Sequence, residues 1–267
     1  MERLQAVAES RMFGTRRVPL GRPLGWLLRG AQDLRRCPWP GLLHGGAAAL
    51  FGALVIAVAH EHFWLLSGAF SGFLIVAPVL ATGLYQISRA LDRKQSPRLA
   101  DALAVWKPTD GRLVVFGLLL GFAGTGWVVT SAALITSFSP VPIHNPQDFL
   151  RHVVLSDQSM LFEAWLAIGG VLAAPVFASS VIALPMLLDR QVGVLTAVFT
   201  SWRVVMDNPG PMALWAGLIM ALTLLGMATG LLGLIPIVPW LAHASWHAYR
   251  ELVAPEQPAR PTGPAAP

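Results

Sequence analysis

The chain has 267 residues, of which 55% are hydrophobic and 12% charged, about half the charged share of a soluble globular domain. Its net charge of +5 could indicate nucleic-acid binding. The basic residues, however, lie in an N-terminal arm and in loops between long apolar runs, which is typical of a multi-pass membrane protein and not of a nucleic-acid partner.

A basic arm opens the chain and an apolar region follows. Residues 1–36 contain eight arginines and end before the lone Cys37, so no disulfide can form within the chain. We predict a cytoplasmic arm over 1–36, a transmembrane domain over 37–253 and a disordered proline-rich cytoplasmic tail over 254–267. No cleavage motif closes the first apolar run, so we expect that run to be retained.

Six apolar segments are long enough to be considered as membrane spans. The sixth is short, with a length of about 24 Å if helical. Six crossings leave all Lys and Arg except Arg151 on one side, which favours six over five and places both termini in the cytoplasm. The predicted spans are 41–59, 64–87, 113–138, 161–188, 212–232 and 234–249.

Two connections on the basic side are of mixed polarity. Residues 96–107 and 193–205 each combine helix-forming content with a Trp beside a basic residue, which predicts two interfacial helices. Aligning Leu91-Asp92-Arg93 with Leu188-Asp189-Arg190 also superposes Pro78 on Pro175. This indicates a parallel tandem repeat of two spans, and the sequence therefore predicts an all-α polytopic membrane helix bundle.

Pro78 and Pro175 lie near the middle of equivalent predicted spans. Each removes a backbone hydrogen bond and favours a kink, and paired interruptions are a feature of transporter sites. Proline is also simply tolerated in membrane helices. No charged residue lies in the middle third of a predicted span, which argues against an ion-coupled carrier.

Histidines supply the candidate metal ligands. His243 and His247 are one helical turn apart, and with His44 they would form a three-histidine site for copper, zinc or haem. The alternative is an interfacial belt of aromatic and basic residues, favoured because no carboxylate or thiolate partner was apparent. The first hairpin tip, His60-Glu61-His62, is a weaker candidate for a divalent ion.

No nucleophile–base order, P-loop or dinucleotide motif is present, so the sequence offers no support for enzyme activity. Four GxxxG patterns, including Gly41/Gly45 and Gly226/Gly230, predict close helix packing. The prediction is a protein that needs no cofactor, with haem or copper as the alternative.

The stretch 238–250, with its His-Ala-Ser-Trp-His-Ala-Tyr-Arg run, resembles the predicted integral membrane proteins catalogued as domain of unknown function 2189. Residues 77–89 and Gly25-Trp26-Leu27 are similar to the same family. The resemblance implies residence in a bacterial inner membrane. The functional expectation is a non-enzymatic transporter-like or accessory module that contacts anionic headgroups and a membrane-protein partner; the alternative is a haem- or copper-handling factor of respiratory complexes.

Overall fold

The computed structural model describes residues 2–59, 81–104, 111–156 and 160–256. These residues are helical apart from short connections, a π-helical turn at Leu150–Val154 and one two-stranded sheet formed by β1 (Phe13–Thr15) and β2 (Val253–Glu256). The helices are α1 (Glu2–Met12), α2 (Arg22–Arg36), α3 (Pro38–Ala59), α4 (Thr82–Asp92), α5 (Leu99–Ala104), α6 (Gly111–Phe138), α7 (Pro146–Phe149), α8 (Leu161–Ser180), α9 (Ala183–Asp189), α10 (Val194–Asp207), α11 (Pro209–Ala228) and α12 (Leu234–Leu252).

Four helical stretches among the described residues are long and apolar enough to cross a membrane, and they coincide with the first, third, fourth and fifth predicted spans: Pro38–Ala57, Gly111–Phe138, Leu161–Asp189 and Pro209–Ala228. The second predicted span, with Pro78, lies outside the described residues except for 81–87. The sixth corresponds to α12 but is not among the four, because Trp, His and Arg side chains occupy its C-terminal half. Six spans therefore stay a prediction.

The last helix, α12, is the centre of the structure. It packs against α2 and α3 along much of its length and also contacts α4, α9 and α11. Its buried side chains join the main hydrophobic core, which includes Trp26, Trp215, Trp246 and Tyr249. By contrast, only 17% of the most apolar stretch of α6 and 22% of that of α11 is buried. These two helices consequently present broad apolar faces outward.

A tight reversal joins α11 to α12. Gly230 and Leu231 have φ values of 66° and 71°, in the left-handed region that favours glycine. Leu231 adopts this conformation although it is not glycine, while its side chain packs with Ala49 and Leu234 in a small apolar cluster. The turn brings α12 back beside α11, as the short connection between the fifth and sixth predicted spans requires.

The residues predicted as an N-terminal arm fold onto the rest of the protein. Helix α1 packs against α10, and α2 packs against α12. Strand β1 pairs antiparallel with β2, in a register that joins Phe13 to Glu256 and Thr15 to Val253. Residues 254–256, assigned by the sequence to a disordered tail, are thus ordered by backbone hydrogen bonding. The rest of the tail, 257–267, lies outside the described residues.

Helices occur in both connections that were predicted as interfacial. In the first, α5 is short and Trp106 lies outside the described residues; in the second, α10 covers nearly the whole predicted segment. Helix α10 buries Thr196, Thr200 and Ser201 and exposes Met206. Their location at a membrane surface stays a prediction, as does a kink at Pro175, which lies inside α8.

Candidate functional site

The candidate site forms where α12 is enclosed by α2, α3 and α4, and glycines allow the helices to approach. A Cβ atom on Gly30 of α2 would lie 2.7 Å from the Ala244 amide nitrogen. A Cβ on Gly45 of α3 would lie 2.0 Å from the Ile235 carbonyl oxygen. These contacts bring the backbones of α2 and α3 against α12, so polar side chains from different helices can meet directly.

Asp33 is the acidic centre of this site. It is buried on the inner face of α2, and its Oδ2 atom lies 2.8 Å from both His247 Nε2 and Ser88 Oγ. Burial raises the pKa of the Asp33 carboxyl, but the hydrogen bond and charge of His247, with the hydrogen bond from Ser88, outweigh burial and leave the pKa below its ordinary value. Asp33 is therefore an ionised acceptor of two hydrogen bonds.

The hydrogen-bond pattern determines the proton position on His243. Ser88 Oγ lies 2.8 Å from His243 Nδ1 as well as from Asp33. A carboxylate only accepts, so the single hydroxyl proton of Ser88 goes to Asp33 and the oxygen accepts from Nδ1–H of His243. Nε2 of the neutral ring then carries a lone pair. That atom is buried and has no hydrogen-bond partner among the residues that the structure describes.

His44 has the same tautomer. Its Nδ1 atom lies 2.7 Å from the Pro40 carbonyl oxygen, which can only accept, so Nδ1 carries a proton and, in the neutral ring, Nε2 carries the lone pair. A Cβ on Gly83 of α4 would lie 3.1 Å from this Nε2, so the ring points toward α4. His44 therefore reaches the helix that supplies Ser88.

The three predicted ligands thus meet different partners. His247 donates its Nε2 proton to Asp33, whereas neutral His44 and His243 carry the proton on Nδ1 and the lone pair on Nε2. Among the residues that the structure describes, no group of three His, Cys, Asp or Glu is arranged to hold a metal ion. The His60-Glu61-His62 tip lies outside those residues.

The belt interpretation of α12 is wrong for its histidines. His243 is fully buried and His247 is 7% exposed, while Trp246 and Tyr249 are each 1% exposed. These side chains pack inside the protein because α2 and α4 cover the C-terminal half of α12. The expectation that no carboxylate would face the histidines is also wrong, since Asp33 supplies one.

A second polar group connects the two copies of the Leu-Asp-Arg motif. Helices α4 and α9 end at Asp92 and Asp189. Asp92 accepts a hydrogen bond of 2.8 Å from Trp246 Nε1, and Asp189 accepts one of 2.8 Å from the Tyr249 hydroxyl. Each aspartate also has a carboxylate oxygen 3.7 Å from the Arg250 guanidinium. Two helix ends that carry the same Leu-Asp-Arg sequence therefore meet one short stretch of α12.

Glu251 attaches α2 to the end of α12. It forms ion pairs with Arg22 and Arg29 and accepts a hydrogen bond of 3.1 Å from Trp26 Nε1. Burial raises the pKa of the Glu251 carboxyl, but the two arginines outweigh it and hold the pKa below its ordinary value. Sequence reasoning had noted Arg22 and Arg29 only as basic-arm residues and had assigned no partner to Glu251.

Sequence reasoning did not identify Asp33 and Ser88 as site residues. The available signal was small: Asp33 is the only acidic residue in an α2 sequence otherwise rich in arginine. Its partner His247 is 214 positions away, and Ser88 is 55 positions away. No local spacing rule joins residues at such separations.

The chain has several apolar helices of membrane-spanning length, and they surround the polar C-terminal half of α12. These features define an integral multi-pass membrane protein. Residues 65–189 match the family model described as predicted integral membrane protein (DUF2189), the same family that the sequence resembles. The His-Ala-Ser-Trp-His-Ala-Tyr-Arg run lies outside the matched range. No curated protein and no solved structure matches the chain.

Proposed function

We propose that the protein is a non-enzymatic accessory or scaffold module of the bacterial inner membrane, with six spans and both termini in the cytoplasm. The observation that carries this proposal is the exposed apolar surface of α6. Leu118 and Phe122 are 70% and 81% exposed, whereas Leu120 on the opposite side is 4% exposed. Such a face suits contact with lipid and with the apolar helix of a membrane-protein partner.

The alternative within this proposal is a transporter-like module. The positions of the charged residues within the candidate spans favour the scaffold over the transporter. In the four candidate spans the charged residues are Arg112, Glu163 and Asp189, each within a few positions of a span end. An ion-coupled carrier ordinarily needs an ionisable group near the midplane for its driving ion. The parallel repeat is supported by Asp92 and Asp189, which end equivalent helices.

Cysteine labelling tests the topology. In a Cys37→Ser background, we expect a membrane-impermeant maleimide to label His144→Cys in intact cells and Gln95→Cys only after lysis, since the two exposed positions lie on opposite predicted sides. Labelling of both positions in intact cells would refute the six-span arrangement.

Photocrosslinking tests the scaffold role. A photoreactive amino acid at Phe122 should give one recurring protein adduct in membranes, and the same amino acid at buried Leu120 is the matched control. Mass spectrometry identifies the adduct, and substituting the contacted residue in that partner should abolish it. Lipid adducts alone at positions 118 and 122 would count against a protein partner on this face.

The second candidate function is handling of haem or copper, and the free Nε2 atoms of His44 and His243 support it. In both rings a hydrogen bond at Nδ1 determines the tautomer and leaves Nε2 unprotonated, as in histidines that ligate metals. His247 does not share this state, because Asp33 holds its Nε2. The ligand set would therefore be two histidines and not three.

Metal and haem content of the detergent-purified protein tests this second candidate. We expect stoichiometric copper or a haem absorption band that is lost in His44→Ala and His243→Ala and retained in His144→Ala, whose ring is exposed elsewhere. Protein that stays metal-free and colourless after loading with Cu(I) or haemin would refute it.

A further inference from the structure

Helix α2 and the turn before it carry exposed leucines on the side away from the protein. Leu20, Leu24 and Leu28 recur every four positions and are 62%, 54% and 67% exposed. Leu24 and Leu28, four apart, lie on the same side of α2, and Leu20 precedes the helix in the turn at its N-terminal end; together they are called the leucine row. Trp39, at the start of α3, is 73% exposed and lies near the C-terminal end of α2.

The opposite side of α2 is buried against the rest of the protein. Trp26, Gly30 and Asp33 are buried there, and Trp26 packs edge-to-face on Trp215 with ring centroids 5.7 Å apart. The buried residues explain why α2 is attached to the structure. They do not explain Leu20, Leu24 and Leu28, each of which is more than half exposed.

Both ends of α2 lie at the start of a candidate span. At its C-terminal end, one residue separates Arg36 from α3. At its N-terminal end, a Cβ on Gly210, in the first turn of α11, would lie 3.3 Å from Leu20. In the proposed topology both span starts are on the cytoplasmic side, so α2, about 22 Å long, would lie along that membrane boundary.

Arginines accompany the leucine row. Arg16 and Arg17 precede α2, Arg35 and Arg36 close it, and all four are exposed. The single acidic residue of α2, Asp33, is buried against His247, so the outer side carries only positive charge. An apolar row with basic residues at both ends matches a leaflet whose surface carries anionic phosphate.

We propose that α2 is an in-plane membrane anchor: Leu20, Leu24 and Leu28 insert among lipid chains, and the flanking arginines bind the phosphates of anionic phospholipids. This inference rests on the proposed topology and identifies a third interfacial helix, at a position where the sequence indicated only a basic arm. It places α2, and with it the buried Asp33, under the influence of the lipid surface.

Depth-dependent fluorescence quenching tests the insertion. An environment-sensitive fluorophore is attached to Leu24→Cys in the Cys37→Ser protein, reconstituted in phosphatidylcholine–phosphatidylglycerol vesicles. Leu4→Cys on α1, where the native side chain is 78% exposed, is the matched control. We expect a blue-shifted emission and loss of iodide quenching at position 24, with quenching by lipid-borne spin labels, and the reverse at position 4.

Iodide quenching at position 24 equal to that at position 4 would overturn the proposal. The Gln95→Cys labelling separates this result from a wrong topology: if position 95 is still protected in intact cells, only the anchor has failed. If position 95 is labelled from outside, the topology itself has failed.

Lipid retention tests the arginines. In native mass spectrometry, we expect wild-type protein from mixed vesicles to retain phosphatidylglycerol and the Arg35→Gln/Arg36→Gln variant to lose part of it. Arg3→Gln/Arg11→Gln removes the same charge from α1 and should leave retention unchanged. Equal retention in all three proteins would contradict phosphate binding by α2.

Discussion

Two adjacent glycines of α3 give the sharpest test of the helix packing. A Cβ on Gly45 would lie 2.0 Å from the Ile235 carbonyl oxygen, about 1.4 Å inside ordinary van der Waals contact, which begins at 3.4 Å. A Cβ on Gly46 would meet nothing within 4 Å. Gly45→Ala therefore has to separate α3 from α12, whereas Gly46→Ala only adds a methyl group in open space.

The expected effects of the two substitutions are opposite in sign. Because the clashing atom at Gly45 belongs to the backbone, relief requires a shift of a whole helix, and we expect a loss of about 3 kcal/mol, at the upper end for overpacking. At Gly46, alanine restricts the unfolded chain and favours the helix, and we expect a gain of about 0.5–1 kcal/mol.

Thermal unfolding in detergent, followed by tryptophan fluorescence, checks this pair. We expect the Tm of Gly45→Ala to fall by on the order of 5–10 °C and that of Gly46→Ala to stay equal or rise slightly. A Tm for Gly45→Ala at or above that of the wild type would refute the close α3–α12 contact. A large loss in Gly46→Ala would show that the outer side of α3 is packed.

Three further predictions concern the buried polar groups and the N-terminal segment. Asp33→Asn removes the charge that faces His247, and chemical denaturation should show a loss of about 3 kcal/mol or more. The folded-state pKa of Glu251 is lowered, so its ion pairs stabilise the protein fully above the ordinary pKa of a glutamate. That stability is lost as the pH falls through the lowered value. Glu251→Gln should therefore weaken the acid dependence in a profile of Tm against pH, and an unchanged profile would contradict this reasoning. Phe13→Ala, at a 3% exposed position beneath the Arg190 guanidinium, should cost about 3–5 kcal/mol, whereas a loss below about 1 kcal/mol would show that β1 is dispensable.

The apolar segments could be predicted from the sequence because membrane spans are defined locally. A run of about twenty apolar residues is readable without knowing what it contacts, and four of the predicted spans coincide with helices of suitable length. The Gly41/Gly45 pattern was also readable, since small residues four apart form one helix face. The sequence did not show that α12 is the helix that packs against this face.

The candidate site could be predicted only in part. His243 and His247 attracted attention because an i, i+4 pair shares a helix face. Their environment was assigned incorrectly, as a belt at the membrane surface, because the sequence does not show that α2 covers α12. The role of Asp33 depends on the same packing, since Gly30 allows the backbone of α2 to lie against Ala244.

By itself, the sequence determined that this is an integral membrane protein of several apolar helices, because hydropathy and charge asymmetry are sums over local residues. Only the tertiary structure decided that α12 is enclosed, that Asp33 and Ser88 join His243 and His247, and that Arg22 and Arg29 serve Glu251. The physical reason is distance along the chain. Hydrogen bonds and ion pairs act over a few ångströms, and helix packing brings their partners together from distant positions, 229 residues apart for Arg22 and Glu251.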